Sequence, residues 1–496
     1  MEKNDLRAAS GENLPAAPPV PEKPHYAEKT VFCRRDWIFL AISFVLGLYP
    51  AFAFSLRTLS SAPNLPGVGS ALFFLAALAG GVCAIGKKGR WNQTNLLVLA
   101  AGALCALTLG VWSNFAMRAL NHLAAFVLIA LGLLSASGMN CRPLESAGML
   151  CESFVNIFAA CFRHFGKPFS AFAAVSSGKK QNLIGIIAGI ALCIPLLAVV
   201  VALLSSADVQ FNTWLARIGA DFRELDPAGA LWRFVRMLFF ALVLFSIFYS
   251  LARPKTAMKR QFRAPEFPVS AAATVLMLMN LLYALFFLVV VIGIQSAAPG
   301  PGGYAQYART GFFQLVAVAA INLSAVMTAA YFHPENRLRR VLSGVLCVQT
   351  VLLLAVAVWR MCLYIGAYGL SFLRLLTFYF MAVIGCAIVL CIRKDIRPGS
   401  KVFPALAAFS LALWVGFSVT DTSRIIAVYN VDAYLDGRSE TVDVTYLASL
   451  SPSVVPQLRR LAEAGNREAA EAVGRLTRQR MEYRGYNWSV DWLALP

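Results

Sequence analysis

Residues 269–294 read VSAAATVLMLMNLLYALFFLVVVIGI, without one Asp, Glu, Lys or Arg from end to end. Wound as an α-helix at about 1.5 Å per residue, this stretch covers about 39 Å, enough to cross a hydrocarbon layer roughly 30 Å thick. In lipid a helix satisfies its own backbone hydrogen bonds, which an open strand cannot do. Ten further runs of the same character flank it, at about 37–57, 66–86, 94–113, 119–138, 182–205, 231–251, 311–331, 341–360, 375–392 and 402–421. The sequence therefore predicts an all-α, polytopic transmembrane bundle of about eleven spans.

Composition agrees with this reading. The chain is 59% hydrophobic and 14% charged, with a mean hydropathy of +0.65. A soluble domain carries about 25% charged residues, so the apolar surplus needs lipid as its solvent. The net charge of +19 does not form a patch suited to nucleic acid. It is divided into short clusters between the apolar runs, which is how a membrane protein sets its orientation. The segment before the first run is rich in Pro, Ala and Glu and lacks an apolar core, so 1–36 is expected to be a disordered tail rather than a signal peptide. No C-x-x-C pair and no metal-ligand spacing among His25, His122, His164 and His333 is present, so no metal or other cofactor is expected.

Numbering the segments between spans alternately puts every lysine on one side, with clusters such as Lys87-Lys88, Lys255/Lys259 and Lys394/Lys401. The other side carries scattered arginines: Arg57, Arg118, Arg217, Arg223, Arg233, Arg309, Arg360 and Arg374. A missed span would scramble this alternation. The rule that positive residues stay inside then predicts a cytoplasmic N-terminus and an extracytoplasmic C-terminus in a cell membrane of the bacterial inner type.

Two shorter segments are amphipathic. Residues 149–172 place Phe154, Phe158, Cys161 and Phe165 on one face, suiting either a helix on the inner membrane surface or a packed cytoplasmic helix. Residues 208–222 align Phe211, Trp214, Leu215, Ile218 and Phe222 for the outer surface. After the last span, residues 422–496 form a small helical domain. Ser451-Pro452 starts one helix of a hairpin and Gly465 stops it, Asn466 starts the second and Gly485 stops that. Trp488 and Trp492 suit an interfacial anchor.

Ionisable groups near membrane depth are the first functional candidates, because burial is costly unless they pair or meet water. They gather at the outer ends of spans: Asp208, Arg309, Arg360, Arg374 and Asp421. Gln314 follows Arg309, and Tyr364 lies in the segment Met361–Arg374, whose glycines and apolar content suggest an interfacial or re-entrant turn. These arginines either snorkel to headgroups or bind an anion in a polar cavity. Within spans, Asn280, Asn322 and Gln349 suit interhelical hydrogen bonds. No Walker A sequence, H-E-x-x-H or G-x-S-x-G occurs.

Four groups of residues carry a resemblance: Ala207–Phe211; Tyr307–Leu315; Arg360–Arg374, with Tyr364, Tyr368-Gly369-Leu and Arg374; and Ala427–Leu435, containing Tyr429-Asn430, followed by Asp443-Val-x-Tyr446-Leu447. In these the chain resembles a bacterial integral-membrane family of unknown function, domain of unknown function 4173, related to 4153. The resemblance implies the same general architecture and lends no reaction, substrate or cofactor. All its stretches fall on the outer side of the expected topology, which points to an outward-facing site among Asp208, Arg309, Arg360, Arg374 and the Tyr429-Asn430 segment. Three functions suit such a site: sensing, binding or scaffolding, with membrane lipids and an envelope protein at 422–496 as partners; transport or flipping of an anionic or lipid substrate; and an envelope enzyme using Asp208 or Asp421 as base.

Overall fold

Polar side chains at the edges of the apolar runs decide where several helices begin. The computed structural model describes residues 32–53, 67–146, 148–175, 227–254, 268–296, 312–333, 335–397 and 399–482. Helix α1 spans Arg34–Ala53, α2 Gly67–Ile85, α3 Gln93–Val111 and α4 Phe115–Ser137. Asn92 accepts the Asn95 N–H and Asn114 the Met117 N–H, capping α3 and α4 by satisfying donors that the first turn leaves open. Because Asn114 is the cap, α4 starts at Phe115, a full turn before the expected 119. Next come α5 (Gly148–Phe162), α6 (Lys167–Val175) and α7 (Pro227–Ala252). Helices α8 (Val269–Ser296), α9 (Phe312–Phe332), α10 (Arg337–Tyr368), α11 (Phe372–Ile396) and α12 (Val402–Val419) complete the long elements. The remainder is short: α13 (Thr422–Leu435), α14 (Val444–Leu450), α15 (Val455–Glu463) and α16 (Arg467–Glu482).

Among the described residues, nine helices are long and apolar enough to cross a membrane, namely α2–α4 and α7–α12. The expected first span corresponds to α1, and the expected fifth, 182–205, lies outside the described residues. So do the amphipathic stretch 208–222, Gly485, Trp488 and Trp492. The described part is helical throughout, with no strand among those residues.

Packing divides the bundle into two halves. In the first, α1 lies along α7, α2 packs on both, and α3 and α4 pack on α2 and on each other. A Cβ at Gly47 of α1 would meet the Met237 carbonyl of α7 at 2.8 Å, so only glycine allows this approach. Phe39, Leu99, Leu133, Phe245 and Phe248 fill the core of this half. In the second half α8, α9 and α11 pack against α10. Helix α12 returns to α3, with Trp414 beside Cys105 and Ala125. The short helices α13–α16 form a cap that shares one core with α10: Leu353, Ala357, Met361 and Ile365 join Ile426, Leu447, Leu458 and Ala469. The predicted hairpin is α15–α16, with Gly465 at φ +93° in the turn and Asn466 accepting the Ala469 N–H.

A polar seam ties the end of α12 and the cap to the α3–α4 region of the first half. Trp112 Nε1 donates to the Val419 carbonyl at 3.0 Å and Asn114 Nδ2 to Ser423 Oγ at 2.8 Å. Ser113 and Ser451 hydroxyls pair at 2.7 Å, and Ser418 Oγ donates to Asn121 Oδ1 at 2.9 Å. Lys87, Lys88, Lys394 and Lys401 lie at the bundle end opposite the cap, as the helix directions require. That basic end is stitched by a buried ion pair, Arg339 to Asp395 at 2.6 Å, and by Arg253 to Asp36 at 2.8 Å.

Helix α5 is built inside out. Its inward residues are polar and bonded: Asn156 donates to the Met139 carbonyl and to Asn140 Oδ1, and Glu152 accepts the Cys141 N–H. Its outward stripe is Leu150, Phe154, Phe158 and Phe162, and the three phenylalanines are 64%, 54% and 57% exposed. Water on that stripe is unfavourable, by about 1.5–3 kcal/mol for each large apolar side chain left unburied.

Candidate functional site

The site is built where α10 ends. The stretch 361–368, expected as an interfacial or re-entrant turn, is helical. The stripe Ala357, Met361, Ile365 continues the buried spacing of four residues that began at Leu353, so the core holds the helix on course. At about 1.5 Å per residue α10 reaches about 48 Å, longer than a bilayer core. Gly369 then stops it, at φ +75° and ψ 177°, a region essentially closed to other residues.

The turn Gly369–Ser371 leaves backbone groups that the cap satisfies with side chains. Asn430 of α13 accepts the Leu370 N–H at 2.7 Å and donates Nδ2 to the Leu370 carbonyl at 2.8 Å. Tyr446 of α14 accepts the Phe372 N–H at 2.8 Å. Asn430 Oδ1 occupies the space where a side chain at position 369 would begin. Arg374, in the first turn of α11, reaches back across the turn and donates NH1 to the carbonyls of Tyr368 and Gly369. It thereby places a cation at the C-terminus of α10, where the helix dipole and unsatisfied carbonyls favour one. Its guanidinium carbon also lies 4.2 Å from the Tyr364 ring centroid, and Tyr364 meets Tyr368 edge-on at 5.0 Å.

Beside this joint is a cleft of about 420 Å³, lined by Tyr368, Arg374, Tyr429, Asn430, Arg438 and Asp443 among others. Asp443 caps α14 by accepting the Tyr446 N–H through Oδ1 at 2.8 Å. Burial pushes the Tyr446 phenol above its ordinary range, and the Asp443 charge adds to this, while the Phe372 N–H and the Arg374 charge pull it down. On the other side of α13 a shallower depression of about 540 Å³ is lined by Asp421, Arg424, Tyr429 and Arg438.

The sequence candidates separate accordingly. Tyr364, Arg374, Tyr429 and Asn430 come together at the joint. Arg360 is on α10, nine residues before Gly369 and about 13 Å along the axis, so it does not line the cleft. Asp421 caps α13, its Oδ1 accepting the Arg424 N–H at 3.1 Å and the Ser453 hydroxyl at 3.2 Å. Gln314 is exposed in the first turn of α9. Asp208 and Arg309 lie outside the described residues.

The intramembrane amides form a separate layer. Asn280 Nδ2 donates to the Leu342 carbonyl at 3.0 Å and Gln349 Nε2 to the Asn280 carbonyl at 3.1 Å. Tyr283 donates to Asn322 Oδ1 at 2.6 Å, and Asn322 Nδ2 to Thr350 Oγ1 at 3.1 Å. Four polar residues lining the cleft, Tyr368, Arg438, Asp443 and Tyr446, were not among the expected site. The Asp443-Val-x-Tyr446-Leu447 motif was the available signal for two of them.

A family model described as a domain of unknown function, DUF4153, matches residues 96–461, from α3 through most of α15. The family shown is the one numbered 4153, the relative of the 4173 family to which the motifs pointed. No curated protein and no solved structure matches.

Proposed function

We propose, from the premise that this chain belongs to the DUF4153 family of unknown function, that it is a multi-pass protein of the bacterial cytoplasmic membrane that binds an envelope ligand in the cleft beneath its cap. The carrying observation is convergence. The stretches 360–374, 427–435 and 443–447 are far apart in sequence, and each supplies residues to one joint and one cleft. The N-terminus is cytoplasmic and the cap extracytoplasmic in this reading. Its support is the position of the lysines at the end opposite the cap. Binding there serves sensing or scaffolding, since α13 and α14 touch the turn that ends α10 and the seam ties the cap to the α3–α4 turn.

Transport draws on Asn280, Asn322 and Gln349. Their bonds between α8, α9 and α10 favour a packing role over a polar path. An enzyme draws on Asp421, whose bonds to Arg424 and Ser453 favour a capping role.

Purification of the full-length protein from membranes, followed by native mass spectrometry, tests the binding reading. A bound species retained by the wild-type chain and lost from Arg374→Gln and Arg438→Gln supports it. Equal retention by both variants refutes it.

A further inference from the structure

The cleft carries both signs of charge at close quarters. On the positive side, Arg374 is held rigidly by its NH1 bonds and the Tyr364 ring. No described residue takes its Nε or NH2, so that edge of the guanidinium keeps the paired donors that suit a phosphate or carboxylate. Arg438, paired with Asp436 at 2.9 Å and well exposed, lines the same cleft. On the negative side, Asp443 uses Oδ1 as a helix cap and keeps Oδ2 for a donor. Tyr368 and Tyr429 lie on the same lining and supply aromatic rings of the kind that attract a cation. Arg374 and Asp443 both act on the Tyr446 phenol in opposite directions, which places the two charges around one side chain.

A simple anion in this cleft meets the Asp443 carboxylate, and a simple cation meets two arginines. Each arrangement sets like charges together with reduced solvent between them. A ligand bearing both charges satisfies both walls. At about 420 Å³ the cleft suits a small molecule or a headgroup. It opens beside the start of α11, where Leu373 and Tyr368 are exposed at the edge of the span.

We propose that the cleft takes a zwitterion of the aminoalkyl phosphate type, its phosphate on Arg374 and Arg438 and its primary ammonium on Asp443 and the tyrosine rings. This rests on the reading of the cleft as a binding site. The same chemistry is offered by a free aminoalkyl phosphate and by the headgroup of a phosphatidylethanolamine.

Calorimetry on the full chain in detergent, with O-phosphoethanolamine, inorganic phosphate and ethanolamine as separate probes, tests the charge pairing. Native mass spectrometry from nanodiscs holding phosphatidylethanolamine and phosphatidylglycerol in equal amounts tests the lipid source. The expected result is a preference of about tenfold for the zwitterion over either half, in the free or the lipid arm, matching one added charge-assisted contact. Arg374→Gln and the exposed Arg438→Gln weaken binding. Asp443→Asn, which keeps a capping side chain, abolishes the preference over the plain anion. Wild-type protein that binds phosphate or phosphatidylglycerol as well as the zwitterion overturns this proposal, while loss of that binding in Arg374→Gln keeps the cleft as the site. Binding unmoved by all three substitutions overturns the proposal and the cleft reading together.

Discussion

The joint between α10 and α11 makes a prediction whose size can be worked from its geometry. Gly369→Ala places a methyl group in a backbone region that costs a non-glycine residue about 1–3 kcal/mol. The same methyl collides with Asn430 Oδ1, so the amide must leave and its two bonds to Leu370 are lost. Removing partners from such backbone groups costs about 1–3 kcal/mol each at full burial, and about 2–4 kcal/mol together at this half-buried turn. Gly369→Ala should therefore destabilise by about 3–7 kcal/mol, and Asn430→Ala by about 2–4 kcal/mol. In the double variant the bonds are lost once, not twice. Its cost should approach that of Gly369→Ala alone, giving a coupling of about 2–4 kcal/mol. Denaturant titration of the protein in mild detergent, followed by tryptophan fluorescence, measures all four corners of the cycle. Costs that add to within about 0.5 kcal/mol would show that the amide does not sit over Gly369.

A cysteine introduced at Ser449 in the cap should react with an impermeant thiol reagent in intact cells, while the native Cys141 near the basic end should react only after lysis; the reverse pattern overturns the orientation. Tryptophan at position 158 on α5 should be quenched by lipids brominated in the acyl chain and shielded from iodide. Iodide quenching without lipid quenching would make that stripe a surface for a soluble protein. The raised Tyr446 phenol has a worked sign: the neutral form is favoured in the fold, so its contribution is complete below the unfolded value near 10.0 and is lost as pH rises through the higher folded value. Tyr446→Phe should remove this alkaline slope in a stability–pH profile and leave a constant loss of about 1–2 kcal/mol from the Phe372 N–H. An unchanged slope would place the titration elsewhere.

The long helices were legible because each apolar run must be helical in lipid, and length alone then marks it. The end of α10 was not. Arg360 and Arg374 look alike on a hydropathy plot, and only the register Leu353, Ala357, Met361, Ile365 distinguishes a continuing helix from a turn. Once α10 runs to Tyr368, Arg374 becomes the residue that closes its C-terminus, a role invisible while 361–374 is read as one loop. Asn430 was found through its motif, but its bidentate bond to Leu370 depends on a contact between residues sixty positions apart. α13 and α14 escaped notice because they are short and mixed in polarity, and the cap core, not their own periodicity, holds them. The apolar stripe of α5 was readable, whereas the polar inward face needed Asn140 and Met139 to be in place.

The seam that joins α12 and the cap to the α3–α4 region sets an order on the making of this protein. Asn121 on α4 receives the Ser418 hydroxyl 297 residues later in the chain, and Asn114 donates to Ser423, 309 residues later. Ribosomes deliver about 5–20 residues each second, so these amides wait on the order of 15–60 s for their partners. During that interval α4 sits in the membrane with Asn121 bonded to Thr108 of α3 and its carbonyl oxygen held ready for α12. A chain cut short before residue 418 would keep its first spans yet leave that oxygen without its late partner, a recognisable mark of an unfinished molecule.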